Sequence, residues 1–179
     1  LPSLATSKGV PTNAVYGFTN MLFRLLKEEK PDFIAVAFDK KAPTFRHLEF
    51  DGYKATRAKA PEELLGQFAL LKEILSAMNI KFLEIEGFEA DDVLGTLSKK
   101  AEDEGFFTLI VTGDKDALQL VSEKTHVMLT KKGITEMEVY DPEKFGEKYE
   151  FDPKNLPDMK GLMGDASDNI PGVPGVGEK

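Results

Sequence analysis

Two continuous apolar runs rich in β-forming residues, FIAVAFD (33–39) and FTLIVT (107–112), are separated by segments of helical period. A run without polar alternation reads as a strand buried on both faces. The stretch PTNAVYGFTNMLFRLLKEEK (11–30) carries Val15, Phe18, Leu22, Leu25 and Leu26 as one apolar stripe, with Thr12 or Asn13 as cap and Pro31 as stop. PEELLGQFALLKEILSAMN (61–79) lines up Leu64, Phe68, Leu71, Leu75 and Met78 behind Pro61. KFLEI (81–85) reads as a short strand, GFEADDVLGTL (87–97) as the start of a helix that Gly105 ends, and GDKDALQLV (113–121) as a turn entering a helix. HVMLT (126–130) and ITEMEVY (134–140) form a hairpin around KKG (131–133), and weaker helices follow at 143–149 and 157–163. Residues 40–60 have no clean period and read as a long loop or mobile helical segment. Strands alternating with amphipathic helices imply an α/β three-layer fold with a mostly parallel central sheet.

Such sheets bind ligands beyond the carboxyl ends of their strands. Asp39 closes the first run, Asp114 and Asp116 follow the second, and Glu89, Asp91 and Asp92 follow KFLEI. Acids in the first turn of a helix complement its free N–H groups and dipole, so any one acid in GFEADDVLGTL has an ordinary explanation. Capping does not explain six acids delivered to one edge by three separate connections. Crowded carboxylates stay ionised only near compensating charge. Hard divalent cations supply it through oxygen ligands, and a pair of them clamps both oxygens of phosphodiester cleavage.

Cysteine is absent, which excludes disulfides, zinc–thiolate sites and thiol nucleophiles. His47 and His126 lie far apart, against a histidine-based metal site or a Ser-His-Asp triad. No apolar run reaches membrane-spanning length and the N-terminus shows no signal-peptide pattern, so a cytoplasmic protein is expected. The net charge of −8 argues superficially against nucleic acid. Its distribution does not: residues 40–59 hold six bases against two acids, a net of +4 facing −12 on the remainder. That suits a polyanion held near cation-binding carboxylates.

GFEADDVLGTL, VTGDKDALQLV (111–121) and GLMGDASDNIPGVPGVGEK (161–179) follow SKGVPTNAVYGF (7–18) and FRHLEFDGYKATR (45–57). In this order the five motifs resemble the structure-specific 5′-nucleases, or flap endonucleases, in particular the 5′→3′ exonuclease domains of bacterial DNA polymerases I. The resemblance implies a PIN-like fold over 1–160 and, over 161–179, the start of a helix–three-turn–helix duplex-binding element. It implies hydrolysis near the 5′ end of branched, nicked or flapped DNA with two Mg²⁺ or Mn²⁺ ions. The implied ligands are Asp39, Glu89, Asp91, Asp92, Asp114, Asp116, Asp165 and Asp168. Asp39 and Asp91 would serve the ion nearer the attacking water, and Asp114, Asp116, Asp165 and Asp168 the second, with Glu89 and Asp92 between or behind. Read without the resemblance, Asp165 and Asp168 in GDASDN simply form Asx turns.

The basic segment resembles the family's helical arch. Lys54 and Arg57, one turn apart if helical, match positions that contact the scissile phosphate, and Arg46 matches a second phosphate-binding position. Tyr53 is expected to stack on a base. Gly172, Gly175 and Gly177 would let the backbone approach a duplex phosphate, with K⁺ bound at the same turn. The family also opens with a strand ending in a ligand Asp, ahead of the region matching Leu1, and the second duplex-binding helix falls past Lys179. The sequence is therefore expected to be a fragment of a longer, monomeric protein, and a fusion to a polymerase domain is left open. The alternative is a non-catalytic DNA-binding fragment. A PIN-type ribonuclease fits less well, because the basic arch and GVPGVG suit a DNA junction.

Overall fold

The computed structural model describes residues 4–131 and 136–177. Helix α1 (Asn13–Glu28) packs beside α3 (Glu62–Ala77). Thr12 stands at the N-cap of α1 but makes no side-chain capping bond. Gln67 of α3 does that work. Its Oε1 accepts from the Ala14 N–H at 2.8 Å and the Val15 N–H at 3.3 Å, while its Nε2 donates to Asn13 Oδ1 and the Glu63 carbonyl. Gln67 is buried. Gln67→Ala leaves two helix-end donors without their acceptor and is expected to cost about 2–3 kcal/mol, read as a lower urea midpoint at unchanged m.

Strand β1 (Ala35–Ala37) pairs in parallel with β2 (Lys81–Leu83), placing Val36 opposite Phe82. Leu22, Leu75 and Ile80 form the core on this half, with Phe18, Val36 and Phe38 against it. Strand β3 (Thr108–Thr112) pairs in parallel with β4 (Thr125–Thr130), and β4 pairs antiparallel with β5 (Met137–Tyr140). Ile110, Leu118, Val127, Tyr140 and Phe145 centre the second core. Helix α4 (Ala90–Asp103) touches both β1 and β3.

The α/β class matches the expectation, and the sheet differs from it. Among the described residues no strand pairs β1 with β3, so the sheet exists as two hydrogen-bonded halves, one of them with an antiparallel edge. Strand β1 is short and partly solvent-exposed rather than buried on both faces, because among the described residues one of its edges has no ladder. Phe33 and Phe106, just before β1 and β3, meet edge to face at 5.6 Å across the halves, with Phe33 77% exposed.

Two local readings are refined and a third holds. Residues 40–60 hold a helix, α2 (Phe45–Glu49), followed by turns to Arg57. GDKDALQLV winds as a 3₁₀ helix over Lys115–Leu120, because Asp114 Oδ1 accepts the Asp116 N–H and tightens the entry. The β4–β5 hairpin is present, while Lys132 and Gly133 of its expected turn lie outside the described residues. Helices α5 (Pro142–Tyr149) and α6 (Leu156–Met163) lead to a small hairpin of β6 (Gly164–Asp165) and β7 (Ile170–Pro171).

Candidate metal centre and its basic rim

A cleft of about 450 Å³ opens beyond the carboxyl ends of β1 and β3. Asp39, Glu89, Asp91, Asp114, Asp116, Asp165 and Asp168 line it, together with Arg46, Tyr53, Lys54, Arg57 and Lys160. Five connections meet there: the end of β1, the start of α4, the turn after β3, the basic segment and the β6–β7 corner.

Each acid has a distinct environment. Asp39 Oδ1 accepts the Ala90 N–H at 2.7 Å, so it caps α4 from another strand. Asp92 accepts the Glu89 N–H at 2.9 Å and clamps the Arg46 guanidinium through both oxygens at 2.8 Å. That clamp holds its carboxyl below the usual range. Asp92 does not line the cleft; it stands behind it as a cap of α4 and an anchor for Arg46. Asp165 Oδ1 accepts from the Ser167 N–H and hydroxyl, the Asx turn of the bare sequence reading, while its Oδ2 accepts from Lys160 at 2.8 Å. Lys160, together with the Ser167 bonds, holds the Asp165 carboxyl well below the ordinary range.

Lys160 also pairs with Asp116 and so bridges two acids. Sequence reasoning missed it. Its only signal is a lysine five positions before Asp165, and the pairing with Asp116 is non-local.

The cations expected to meet phosphate lie on these acids instead. Lys54 Nζ is 2.8 Å from Glu89 and 4.0 Å from Asp168, and Arg57 is 3.6 Å from Asp168. The two side chains reach the same place, but from turns rather than from one helical face. Tyr53 is 6% exposed; its hydroxyl is 3.1 Å from Glu89 and 3.3 Å from Asp168, and His47 lies against its ring edge. In this arrangement it offers no face to a base, and its hydroxyl hydrogen-bonds the acids instead. Burial, then the Glu89 charge, keeps its phenol protonated far above the ordinary range.

Asp91 is the exception. Among the described residues its carboxylate has neither a hydrogen bond nor an ion pair. Burial pushes it up to about 6, helped by the charges of Asp114, Asp39 and Glu89. Asp168 Oδ1 is buried without a hydrogen-bond partner, but it has the Arg57 guanidinium 3.6 Å away as an ion pair. Among the described residues no three acidic or histidine side chains are arranged to hold an ion as they stand. Their chemistry nevertheless fits one. The donors are all oxygens, Asp91 has neither a hydrogen bond nor an ion pair, and Glu89, Asp116, Asp165 and Asp168 are compensated by the Lys54, Arg57 and Lys160 side chains.

The glycines divide by cause. A Cβ on Gly172 would collide with the Met163 carbonyl, so this glycine is required by packing within the chain. Gly175, at φ +83°, is required by its turn, and a Cβ on Gly177 would meet open space.

The profile of the 5′-3′ exonuclease N-terminal resolvase-like domain matches residues 1–150, and that of the 5′-3′ exonuclease C-terminal SAM fold matches residues 151–179. DNA polymerase I of Bacillus subtilis is 54% identical over all 179 residues, which are 20% of its own length. DNA polymerase I of Mycobacterium tuberculosis H37Rv is 51% identical over 174 residues, 97% of this chain and 19% of the relative. The chain thus spans about a fifth of the length of these curated relatives. The T5 5′-exonuclease structure with bound zinc superposes with a TM-score of 0.74 at 24% identity, over 90% of this chain and 62% of that one. A variant T5 flap endonuclease in a pseudo-enzyme–product complex with DNA and metal ions gives 0.73 at 25%, over 93% and 63%. From these matches, the chain belongs to the 5′-3′ exonuclease family, with residues 1–150 matching its resolvase-like domain and residues 151–179 its SAM fold.

Proposed function

We propose that the chain is the nuclease unit of a longer protein and hydrolyses phosphodiester bonds near the 5′ end of branched, nicked or flapped DNA. The observation that carries this reading is Asp91, a charge-crowded carboxylate without a hydrogen bond or ion pair, lining a cleft that other acids and four cations share. Asp39, Glu89, Asp91, Asp114, Asp116, Asp165 and Asp168 would hold two Mg²⁺ or Mn²⁺ ions. When bound, the ions supply Lewis-acid stabilisation of charge on the phosphoryl, attacking and leaving oxygens.

The chain's own residues do the rest. Lys54 and Arg57 now neutralise Glu89 and Asp168. With those acids otherwise compensated, both cations are free to face the scissile phosphate, where charge increases towards the transition state. Arg46, held by Asp92, keeps a fixed guanidinium at the rim for a neighbouring phosphate. Tyr53 and the Asp165 turn fix the positions of Glu89 and Asp168. We extend the same reading to a catalytic unit over 1–160, a duplex-binding element begun at 161–179 with K⁺ at its glycine turn, and a monomeric cytoplasmic protein. No helix among the described residues is long and apolar enough to cross a membrane.

The test is cleavage of a 5′-labelled flap substrate in Mg²⁺, Mn²⁺ or chelator. Metal-dependent products ending near the branch are expected. Flap binding without cleavage would favour the DNA-binding module, and cleavage that survives chelation would remove the metal from the reaction.

A further inference from the structure

The loop 166–169, between β6 and β7, meets the basic segment at a backbone position that a lysine seldom adopts. Lys54 has φ 55° and Asn169 has φ 59°. Both are left-handed, a region that asparagine tolerates better than lysine. Strained residues of this kind persist where surrounding contacts over-determine them. Here the contacts are reciprocal. The Lys54 N–H donates to the Asp168 carbonyl at 2.9 Å, and Asn169 Nδ2 donates to the Gly52 carbonyl at 2.7 Å. The turn 52–54 is thus fastened to the loop from both sides. From that turn the Lys54 ammonium reaches Glu89, and the Tyr53 hydroxyl reaches Glu89 and Asp168.

The Asn169 side chain is not needed to close its own loop. Asp165 does that, by accepting from Ser167. Its amide is spent on a residue 117 positions away in sequence. The same loop continues directly through β7 into Gly172, whose backbone packs against Met163 and Gly164. Whatever fixes the hairpin therefore also fixes the turn that aims Lys54.

We propose that Asn169 is a positioning residue: its side chain clasps the turn 52–54 and aims Lys54 into the acidic cleft, so that the hairpin leading to the glycine turn sets where Lys54 acts. This rests on the nuclease reading above.

The test compares wild type with Asn169→Gly, which keeps the left-handed backbone without the donor, and Asn169→Asp, which keeps the shape but replaces the donor by an acceptor. Asn79→Gly is the control, a second left-handed asparagine (φ 56°) remote from the cleft. Amide exchange at Lys54, the melting temperature, and kcat and KM on a flap substrate are read together. Both Asn169 variants are expected to exchange Lys54 about tenfold faster and to lose about tenfold in kcat with KM within about twofold, while Asn79→Gly changes neither. Wild-type exchange and kcat in both variants would overturn the proposal. So would a loss of kcat with Lys54 exchange unchanged, or a uniform rise in exchange that tracks a lower melting temperature. If the wild type itself fails to cleave, the nuclease reading falls and the role in turnover falls with it. Lys54 exchange then decides separately whether the clasp exists.

Discussion

Replacing Asp91 by asparagine is expected to abolish cleavage and to raise the melting temperature at neutral pH without added metal. Both effects have one source. The Asp91 carboxyl is pushed up to about 6 by burial and by three neighbouring carboxylates, from an ordinary value of 3.8. Below pH 4 it is protonated in the folded and unfolded chain alike, and its charge costs nothing. Between about 4 and 6 the unfolded chain releases the proton first, so folding stability falls as pH rises. Above 6 the whole penalty is present. A shift of about two units corresponds to about 3 kcal/mol, and roughly 2 kcal/mol remains after allowing for the water that reaches this carboxylate. The asparagine side chain has no charge to hold, so the variant is expected to melt roughly 4–8 °C higher at pH 7.5 in chelator, with the gain gone near pH 4. Loss of a ligand at the reacting centre is expected to lower turnover by at least about 10³-fold. Thermal melts across pH, beside single-turnover cleavage, check both halves. A destabilised Asp91→Asn protein would show that Asp91 serves folding.

The second large effect belongs to Lys54. Its ammonium sits 2.8 Å from Glu89, and its side chain is only 18% exposed. Lys54→Ala removes a cation from the cleft and leaves Glu89 with the Tyr53 hydroxyl. The cleft becomes more acidic and attracts divalent cations more strongly. Turnover should move the other way, by about 10²–10³-fold, because the lost charge acts most where negative charge develops on the phosphate. Affinity for flap DNA should change by less than about tenfold. Tighter metal binding with slower turnover is therefore the signature of this variant. Unchanged turnover with weaker DNA binding would make Lys54 a steering charge only.

Much of this was legible in the sequence because it is local or periodic. The stripes of α1 and α3, the start of α4, the runs of β1 and β3, and the acids at strand ends follow from spacing alone. The resemblance to 5′-nucleases added the family, which the domain profiles show. What the sequence did not reveal depends on partners remote along the chain. Gln67 caps a helix 53 residues away. Lys160 bridges Asp116 and Asp165. Tyr53 looked available for stacking, but His47 and the acids bury it. Asp92 looked like any acid of its cluster until Arg46 took both its oxygens. The break between β1 and β3 among the described residues has no signal in the two runs themselves, since each reads equally well as a central strand.

The central claim is that the carboxylates of this cleft form a divalent-cation site. It is tested most directly by melting the wild type and Asp91→Asn across a Mn²⁺ titration, with chelator as the starting point. Wild type should gain stability progressively, by about 2.7 kcal/mol at a hundredfold excess over the dissociation constant, and Asp91→Asn should gain little over the same range. Equal, metal-independent melting of the wild type would contradict the claim. So would an identical Mn²⁺ response in the variant, which would place the ions elsewhere.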